Sequence, residues 1–224
     1  MLDARSARRH ARKSPVIARF SLFQTLGGVM KIGSLFSGYG GLDLAVSAIT
    51  GAEVAWHCEW ADGPSKILEH NFPGIPNYRD VSEVDWSSVE AVDILTGGFP
   101  CQDVSLAGRR AGMGEGTRSG LWSEFAEAID VLQPKLVVIE NVRGLLSAKA
   151  SSDLEQCPWC LGEAGKGEPS LRALGAVLGD LASLGYDARW ESVLASDAGA
   201  PHRRFRVFVV AYPRGISAAD AIGY

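Results

Sequence analysis

Residues 31–49, KIGSLFSGYGGLDLAVSAI, join a strand pattern to a helix pattern through a turn that contains three glycines. The run 31–36 is apolar enough for a buried strand, and residues 42–49 repeat apolar side chains with helical spacing. The same alternation continues along the chain, which is typical of a parallel sheet covered by helices on both faces. We therefore predict an α/β fold with an open, mostly parallel twisted sheet. Its further strands are predicted at 53–58, 76–78 (a short one), 92–97, 135–140, 188–194 and 205–212, and its further helices at 64–72, 119–134 and 170–185.

The composition is that of an ordinary globular protein. The 224 residues are 46% hydrophobic and 21% charged, which fits a single domain with a real core. No apolar run approaches the roughly 20 residues that span a bilayer, so we expect no membrane segment. Four cysteines in a chain of this length are too few for a disulfide framework. These features favour a cytoplasmic protein.

The charge is distributed unevenly. Residues 1–29 hold six of the 22 basic residues and one of the 26 acidic ones, so the rest of the chain is acidic although the total is only −4. A basic arm that contacts nucleic acid is one interpretation of this segment, and a disordered tail before an internal start at Met30 is the other. We treat residues 1–29 as an N-terminal extension and residues 213–224 as a C-terminal tail.

Unusual side chains gather where the predicted strands end. Ligands of open α/β sheets bind beyond the carboxyl ends of the strands. These ends carry, in chain order, FSGYGG (36–41), Glu59 with Trp60, Asp80, Pro100 with Cys101, and Glu140 with Asn141. The sequence therefore predicts one site along this edge of the sheet.

The glycine turn and Glu59 favour a cofactor that contains adenosine. Glu59 follows the turn by about 20 residues, the usual position of a carboxylate that binds ribose hydroxyls. The order G-x-G-G departs from the dinucleotide fingerprint, and no phosphate-binding Lys-Ser or Lys-Thr follows, so NAD and ATP are disfavoured. Phe36 and Trp60 could enclose an adenine ring or could belong to the core.

Cys101 lies in the loop GGFPCQDVSLAG (97–108), after a predicted strand. Most free cysteines are buried and inert, but a proline and glycines keep this segment irregular, which favours an exposed nucleophile. Arg204 and Arg206 alternate with apolar residues on the last strand, so both guanidinium groups are predicted to face one side. Glu140 ends an apolar strand, where it either pairs with a buried partner or acts in the chemistry.

In these segments the chain resembles the cytosine-carbon-5 DNA methyltransferases, which use S-adenosylmethionine. The resemblance covers residues 31–212 and implies a Rossmann-like class I methyltransferase fold for a catalytic domain at 30–212. It rests on seven motifs in the family's order: SLFSGYGGLD (34–43), CEW (58–60), YRDV (78–81), GGFPCQDVS (97–105), SGLWSEF (119–125), ENVRGL (140–145) and GAPHRRFRVFVV (199–210).

The resemblance implies a role for each matching residue. The target cytosine would be flipped out of double-stranded DNA, Cys101 would attack its carbon 6, and Glu140 would bond to its ring nitrogen and exocyclic amine. Arg204 and Arg206 would support the base and the thiolate, while Asn141 would hold the loop at Pro100. The expected DNA contacts are Gln102, Ser105 and Arg118, and the expected S-adenosylmethionine contacts are Phe36, Gly38, Gly40, Glu59, Trp60, Asp80, Val81, Pro100 and Leu121.

Several features depart from the family pattern. Ser34 replaces a common acidic residue, and His202 replaces a common glutamine. No counterpart of the family's target-recognition domain, of its next arginine-bearing motif or of its final Gly-Asn-Ser motif follows Tyr212. The acidic body also lacks the basic surface that phosphate binding needs. We therefore expect the catalytic portion of a divided or truncated enzyme, which a second polypeptide completes.

Other interpretations remain open. The same chemistry could act on a cytosine of transfer RNA, or the chain could be a non-catalytic regulatory subunit derived from a methyltransferase. A dinucleotide-dependent oxidoreductase is the least favoured alternative. The pair Cys157 and Cys160, in a predicted loop insertion at 147–168, has the spacing of a zinc knuckle but lacks two further ligands. We expect no metal.

Overall fold

The computed structural model describes residues 28–100, 120–146 and 173–223, and the structural statements below concern these residues. Its strands and helices lie close to the predicted positions. The strands are β1 (Lys31–Leu35), β2 (Glu53–Cys58), β3 (Ile94–Gly97), β4 (Leu136–Val142), β5 (Tyr186–Leu194) and β6 (Phe205–Pro213). The helices are α1 (Gly41–Thr50), α2 (Asp62–Asn71), α3 (Gly120–Leu132), α4 (Ala173–Ser183) and α5 (Ala218–Ala221).

The described strands form one sheet in the order β2-β1-β3-β4-β6-β5. The pairs β1–β2, β1–β3 and β3–β4 are parallel, whereas β6 runs antiparallel to both β4 and β5. The connection between β5 and β6, residues 195–204, is shorter than a parallel crossover requires, so these two strands form a hairpin. The predicted open, mostly parallel α/β sheet is confirmed, with one antiparallel strand.

The prediction of a short strand at 76–78 is wrong. Asn77 makes only an isolated parallel bridge with His57. The Asn77 side chain turns back to the end of β2, where its Oδ1 accepts the Glu59 N–H at 2.9 Å. Arg79 then adopts a left-handed conformation, with φ at 67°, which ends the extended path.

Apolar side chains cover both faces of the sheet. One face packs an aromatic cluster in which Trp122 of α3 lies 5.0 Å from Phe99 and 5.7 Å from Phe125, between ring centroids. The other face packs Val46 of α1 and Ala221 of α5 against the strands. Residues 218–222, which the sequence predicts to be part of a tail, thus lie on the core. Within the described ranges, no helix is long and apolar enough to cross a membrane.

The sheet changes its winding direction between β1 and β3. From β1 the chain passes through α1 to β2 on one side, whereas β3 and β4 lie on the other side. In sheets of this kind the carboxyl ends at such a switch point leave a crevice between the connecting loops. The turn after β1 and residues 97–100 after β3 therefore face each other across a natural ligand site.

Gly33 of β1 is expected to tolerate no side chain. A Cβ at this position would overlap the indole ring of Trp56, which is fully buried and donates its Nε1–H to the Glu90 carbonyl at 2.9 Å. We expect Gly33→Ala to lower the free energy of unfolding by about 1–3 kcal/mol, as overpacking does. Chemical denaturation measures this change. Gly63→Ala is the control, because Gly63 has open space around its Cα, and an equal loss in both variants would contradict the prediction.

Candidate active site

A cavity of about 420 Å³ opens at the carboxyl ends of β1 and β3. Its wall includes the turn after β1, the first residues of α1 and the glycines that end β3. Glu140, Arg204, Arg206 and Phe208 close it on the side of β4 and β6. The structure therefore places a cavity at the edge of the sheet where the sequence predicts a site.

The glycine turn is held open by unusual backbone conformations. Phe36, Gly38 and Gly40 all have positive φ angles, at 51°, 57° and 82°. No atom lies within 4 Å of a Cβ built on Gly38, whereas a Cβ on Gly40 would lie 2.6 Å from the Phe72 ring. Gly40 is thus required by the packing of α1 on the residue after α2, and Gly38 leaves free space beside the backbone.

Glu59 joins the glycine turn to the end of β2. Its Oε2 accepts the Gly38 N–H at 2.8 Å, and its Oε1 accepts the Ala61 N–H at 2.8 Å. A carboxylate oxygen can accept more than one hydrogen bond, so both oxygens keep capacity for a ligand hydroxyl. This position agrees with the expectation that Glu59 lies beside the turn.

The other predicted cofactor residues lie at different depths. Phe36 and Gly38 line the cavity, and the Phe36 ring packs edge-on against Phe125 at 6.4 Å. Trp60 is 69% exposed, and Val81 is buried in the core. Six of the predicted cofactor residues lie outside the cavity wall: Gly40, Trp60, Asp80, Val81, Pro100 and Leu121. The Asp80 carboxylate accepts hydrogen bonds from the Ser82 backbone N–H and hydroxyl.

Two arginines converge on Glu140. Its Oε1 accepts a hydrogen bond from Arg206 Nε at 2.5 Å and lies 3.8 Å from a terminal nitrogen of Arg204. The prediction that the two guanidinium groups face the same side of the last strand is confirmed. Glu140 is not the last residue of its strand, because β4 continues to Val142. Its Oε2 lies 3.3 Å from where a Cβ of Gly98 would be, so the missing side chain leaves room for the carboxylate.

Asn141 ties β4 to the loop that leads to Cys101. The side chain is buried, its Nδ2 donates to the Phe99 carbonyl at 2.9 Å, and its Oδ1 accepts the Val142 N–H at 2.8 Å. The prediction that Asn141 holds the Pro100 loop is confirmed. Cys101 itself, with Gln102, Ser105 and Arg118, lies outside the described residues.

A buried polar cluster that the sequence did not predict lies at the wall of the cavity, which includes Ser34 and Asp43. Asp43 of α1 accepts hydrogen bonds from the hydroxyls of Ser34 at 2.8 Å and Thr96 at 2.6 Å. His57 is also buried, with its Nδ1 3.7 Å from Asp43 Oδ2. An aspartate on the apolar face of α1 was the available signal. Ser34, at the position where the family often has an acid, thus serves as a donor to Asp43.

Burial shifts both titratable groups toward their neutral forms. Burial raises the pKa of Asp43, which the hydrogen bonds from Thr96 and Ser34 partly oppose. Burial lowers the pKa of His57 to about 4. Neither ring nitrogen of His57 has a hydrogen-bond partner among the described residues, which fits a neutral imidazole.

His57 is expected to make the fold sensitive to acid. Its pKa is about 4 in the folded protein and near 6.5 in the unfolded chain, so the unfolded chain binds the proton first as pH falls. Stability should be unaffected by His57 above pH 6.5 and should decrease between pH 6.5 and 4, by at most about 3 kcal/mol. Asp43 acts with opposite sign, because its raised pKa favours the folded state at low pH.

Denaturation of wild type and His57→Gln at several pH values isolates this contribution. The glutamine does not titrate, so the difference in unfolding free energy between the two proteins should change across pH 6.5–4. A difference that stays constant over this range would contradict the prediction.

The expectation of no metal site concerns mostly residues outside the described ranges. Within those ranges no group of three or more His, Cys, Asp or Glu side chains is placed to hold a metal ion. Cys157 and Cys160 are not among the described residues. His202 is exposed, and its Nδ1 accepts the Arg204 N–H at 3.4 Å.

Known proteins share the sequence pattern of this chain. The family model of C-5 cytosine-specific DNA methylases matches residues 30–219. Type II methyltransferase M.HpaII of Haemophilus parainfluenzae is 32% identical over 182 residues, which are 80% of this chain and 44% of the relative. Type II methyltransferase M.NlaIV of Neisseria lactamica is 30% identical over 185 residues, 80% of this chain and 40% of the relative. The chain thus spans less than half the length of these relatives.

Solved structures share the fold. The Dnmt2 methyltransferase of S. pombe superposes with a TM-score of 0.60 at 18% identity, over 84% of this chain and 52% of that one. A putative DNA modification methyltransferase encoded within an E. coli prophage gives a TM-score of 0.55 at 22% identity, over 85% and 49%. At these identities the likeness establishes the α/β architecture.

Proposed function

The chain belongs to the C-5 cytosine-specific DNA methylase family, and from that premise we propose that it transfers a methyl group from S-adenosylmethionine to carbon 5 of a cytosine in DNA. The observation that carries the proposal is the convergence of Glu140, Arg204 and Arg206 on one wall of the cavity whose other wall is the glycine turn. Methyl transfer to a base needs both a cofactor pocket and groups that bind the base, and here the two adjoin.

The residues present fit S-adenosylmethionine. The space beside Gly38 admits a ligand close to the backbone, and Glu59, fixed against that turn, can accept hydrogen bonds from ribose hydroxyls. Trp60, exposed two positions before α2, offers an aromatic surface to the adenine. When bound, the cofactor supplies an electrophilic methyl group. Asp80, Val81, Pro100 and Leu121 complete the proposed cofactor contacts, with Val81 limited to its backbone by burial.

The chain's own residues act on the cytosine. The Cys101 thiolate adds to carbon 6, which makes carbon 5 nucleophilic, and Glu140 hydrogen-bonds the ring nitrogen and the exocyclic amine. After methylation, loss of the carbon 5 proton to water lets the Cys101 sulfur leave as a thiolate, which restores the ring. Arg206 fixes the carboxyl group of Glu140, and Arg204, which is 58% exposed, remains available to the base. Asn141 fixes the carbonyl two residues before Cys101.

Double-stranded DNA is the proposed substrate, with contacts from Gln102, Ser105 and Arg118. DNA is supported by the matching family, which is described as C-5 cytosine-specific DNA methylases. Residues 30–224 carry 16 basic and 25 acidic side chains, a poor balance for binding phosphates alone. We therefore propose that sequence beyond the matched region, in a second polypeptide, supplies target recognition, and that the reaction takes place in the cytoplasm.

The test is the identity of the methylated nucleoside. The chain, alone and together with the product of the adjacent reading frame, is incubated with methyl-labelled S-adenosylmethionine and either unmethylated mixed-sequence DNA or transfer RNA, and the products are digested and resolved by mass spectrometry. We expect label in 5-methyl-2′-deoxycytidine. Label confined to RNA would favour the alternative substrate, and failure to bind the cofactor in calorimetry would contradict the proposed function.

A further inference from the structure

The outer edge of the sheet, strand β5, is long and carries unpaired charges. β5 has nine residues and is the terminal strand in the described sheet order. Arg189, Trp190 and Glu191 at its centre are exposed, with Trp190 at 46%. Neither Arg189 nor Glu191 forms an ion pair with another described residue. An exposed strand of this length is a template for pairing with another strand.

The backbone of β5 offers hydrogen bonds at alternate residues. Ala195 donates to the Arg204 carbonyl and Gly185 accepts from Arg214, so odd-numbered positions bond toward β6. Even-numbered positions point away from β6. Accordingly, the Ser192 N–H donates to the carboxylate of the adjacent Glu191 at 3.1 Å, and the Leu194 N–H donates to the Asp197 carboxylate at 3.0 Å. A partner strand would bond to the outward groups of Ala188 and Trp190, and the Ser192 N–H would exchange its Glu191 acceptor for a carbonyl of that strand.

The sequence of this edge is complementary to itself. If a second β5 lies antiparallel about a two-fold axis at Trp190, each Arg189 stands opposite a Glu191 and the two Trp190 side chains meet on the other face. Ala188 then stands opposite Ser192, and the outward-bonding residues face one another in every pair. A two-fold axis at Ala188 would place Arg189 directly opposite Asp187. That carboxylate already lies 3.8 Å from Arg214, and only five residues of β5 would pair in this register.

We infer that β5 is a self-association edge, through which two copies of this chain form an antiparallel β5–β5 pair that joins their sheets. The outward-facing hydrogen-bonding groups and the charges both favour the register with its two-fold axis at Trp190. Because both fit a second β5, we favour a second copy of this chain over another protein as the partner. Opposite charges at directly facing positions stabilise strand pairs, and exposed tryptophans at such positions pack on each other. β6 lies between this edge and the strand that carries Glu140, so the inference does not depend on the proposed function.

Charge reversal tests the register. In a homodimer, Arg189→Glu leaves each Glu191 facing a second carboxylate, and Glu191→Arg leaves each Arg189 facing a second guanidinium group. Sedimentation of the full chain over a concentration series should show a reversible wild-type dimer, weakened by about tenfold or more in each single variant. Lys66→Glu, an equal charge change at an exposed position of α2, should dimerise like wild type.

Mixing the two single variants supplies the deciding result. In a mixed pair the central charges of one chain are both acidic and those of the other are both basic, so every facing pair is again of opposite sign. An equimolar mixture of Arg189→Glu and Glu191→Arg should therefore recover the dimer, as should the double variant in which both charges are exchanged. A monomeric wild type at all concentrations, a Glu191→Arg variant that dimerises normally, or a mixture that stays monomeric would overturn the inference. Recovery by mixing also shows that each variant is folded.

Discussion

Replacing Cys101 by alanine is expected to abolish methyl transfer, with a loss on the order of 10⁴-fold or more, because the proposed covalent route through carbon 6 of the cytosine depends on the Cys101 thiolate. The structure supports this role through the neighbouring residues: the buried Asn141 amide fixes the Phe99 carbonyl, and Glu140 lies beside Gly98. The measurement is the rate of 5-methylcytosine formation under saturating cofactor.

Cys58→Ala is the matched control for this loss. Cys58 is the described cysteine that lies buried at the end of β2, where its thiol contacts the Arg79 carbonyl at 3.4 Å, and burial raises its pKa to about 12. A thiol with this pKa is inert at neutral pH, so Cys58→Ala should retain activity wherever it folds. Equal loss in the two variants, or activity in Cys101→Ala within tenfold of wild type, would contradict the nucleophile assignment.

Replacing Glu140 by glutamine is expected to slow methyl transfer by about 10²–10⁴-fold while cofactor binding persists. Glutamine keeps the shape of the side chain but cannot form the charge-assisted pair with Arg206 or offer two carboxyl oxygens to the base. Arg206 is only 18% exposed on its side chain and would lose its partner, so the variant should also unfold about 1–3 kcal/mol more easily. Single-turnover kinetics and calorimetry with S-adenosylmethionine separate the two effects.

Glu53→Gln controls for the chemical change alone. Glu53 pairs with Lys31 at 3.6 Å at the amino-terminal end of the sheet, away from the cavity. Its replacement should leave the rate unchanged. A Glu140→Gln enzyme that transfers methyl groups within about threefold of wild type would contradict the role of Glu140 at the base.

The sequence predicts the parts of this fold that depend on local patterns. The parallel strands are short apolar runs, and such runs follow from burial on both faces of a sheet, whereas the edge strand β5 carries charges at its centre. The edge on which the site lies follows from the directions of the parallel strands. The grouping of Glu140 with Arg204 and Arg206 does not, because it requires the antiparallel direction of β6, and it was expected only from the family resemblance. The family resemblance predicted that Asn141 holds the loop at Pro100, and the hydrogen bond from its Nδ2 to the Phe99 carbonyl agrees with that role.

Other features depend on pairing that no local pattern encodes. The segment at 76–78 was predicted as a short strand although two of its three residues are proline and asparagine, and the Asn77 side chain takes the hydrogen bonds of Glu59 that a strand would share through its backbone. The cluster of Asp43 with His57 joins residues from α1 and β2 that are 14 positions apart, and the sequence alone does not show that they meet. The antiparallel direction of β6 follows from the length of its connection, which the sequence shows only after both strand ends are known.

Covalent trapping tests the central claim most directly. The chain is incubated with S-adenosylmethionine and DNA that contains 5-fluorocytosine, whose fluorine cannot leave as a proton does, so the bond between sulfur and carbon 6 persists. We predict a protein mass increased by the oligonucleotide plus one methyl group, with the modification mapped to Cys101 by peptide sequencing. Absence of the adduct under conditions that methylate ordinary cytosine, or an adduct at another residue, would contradict this account.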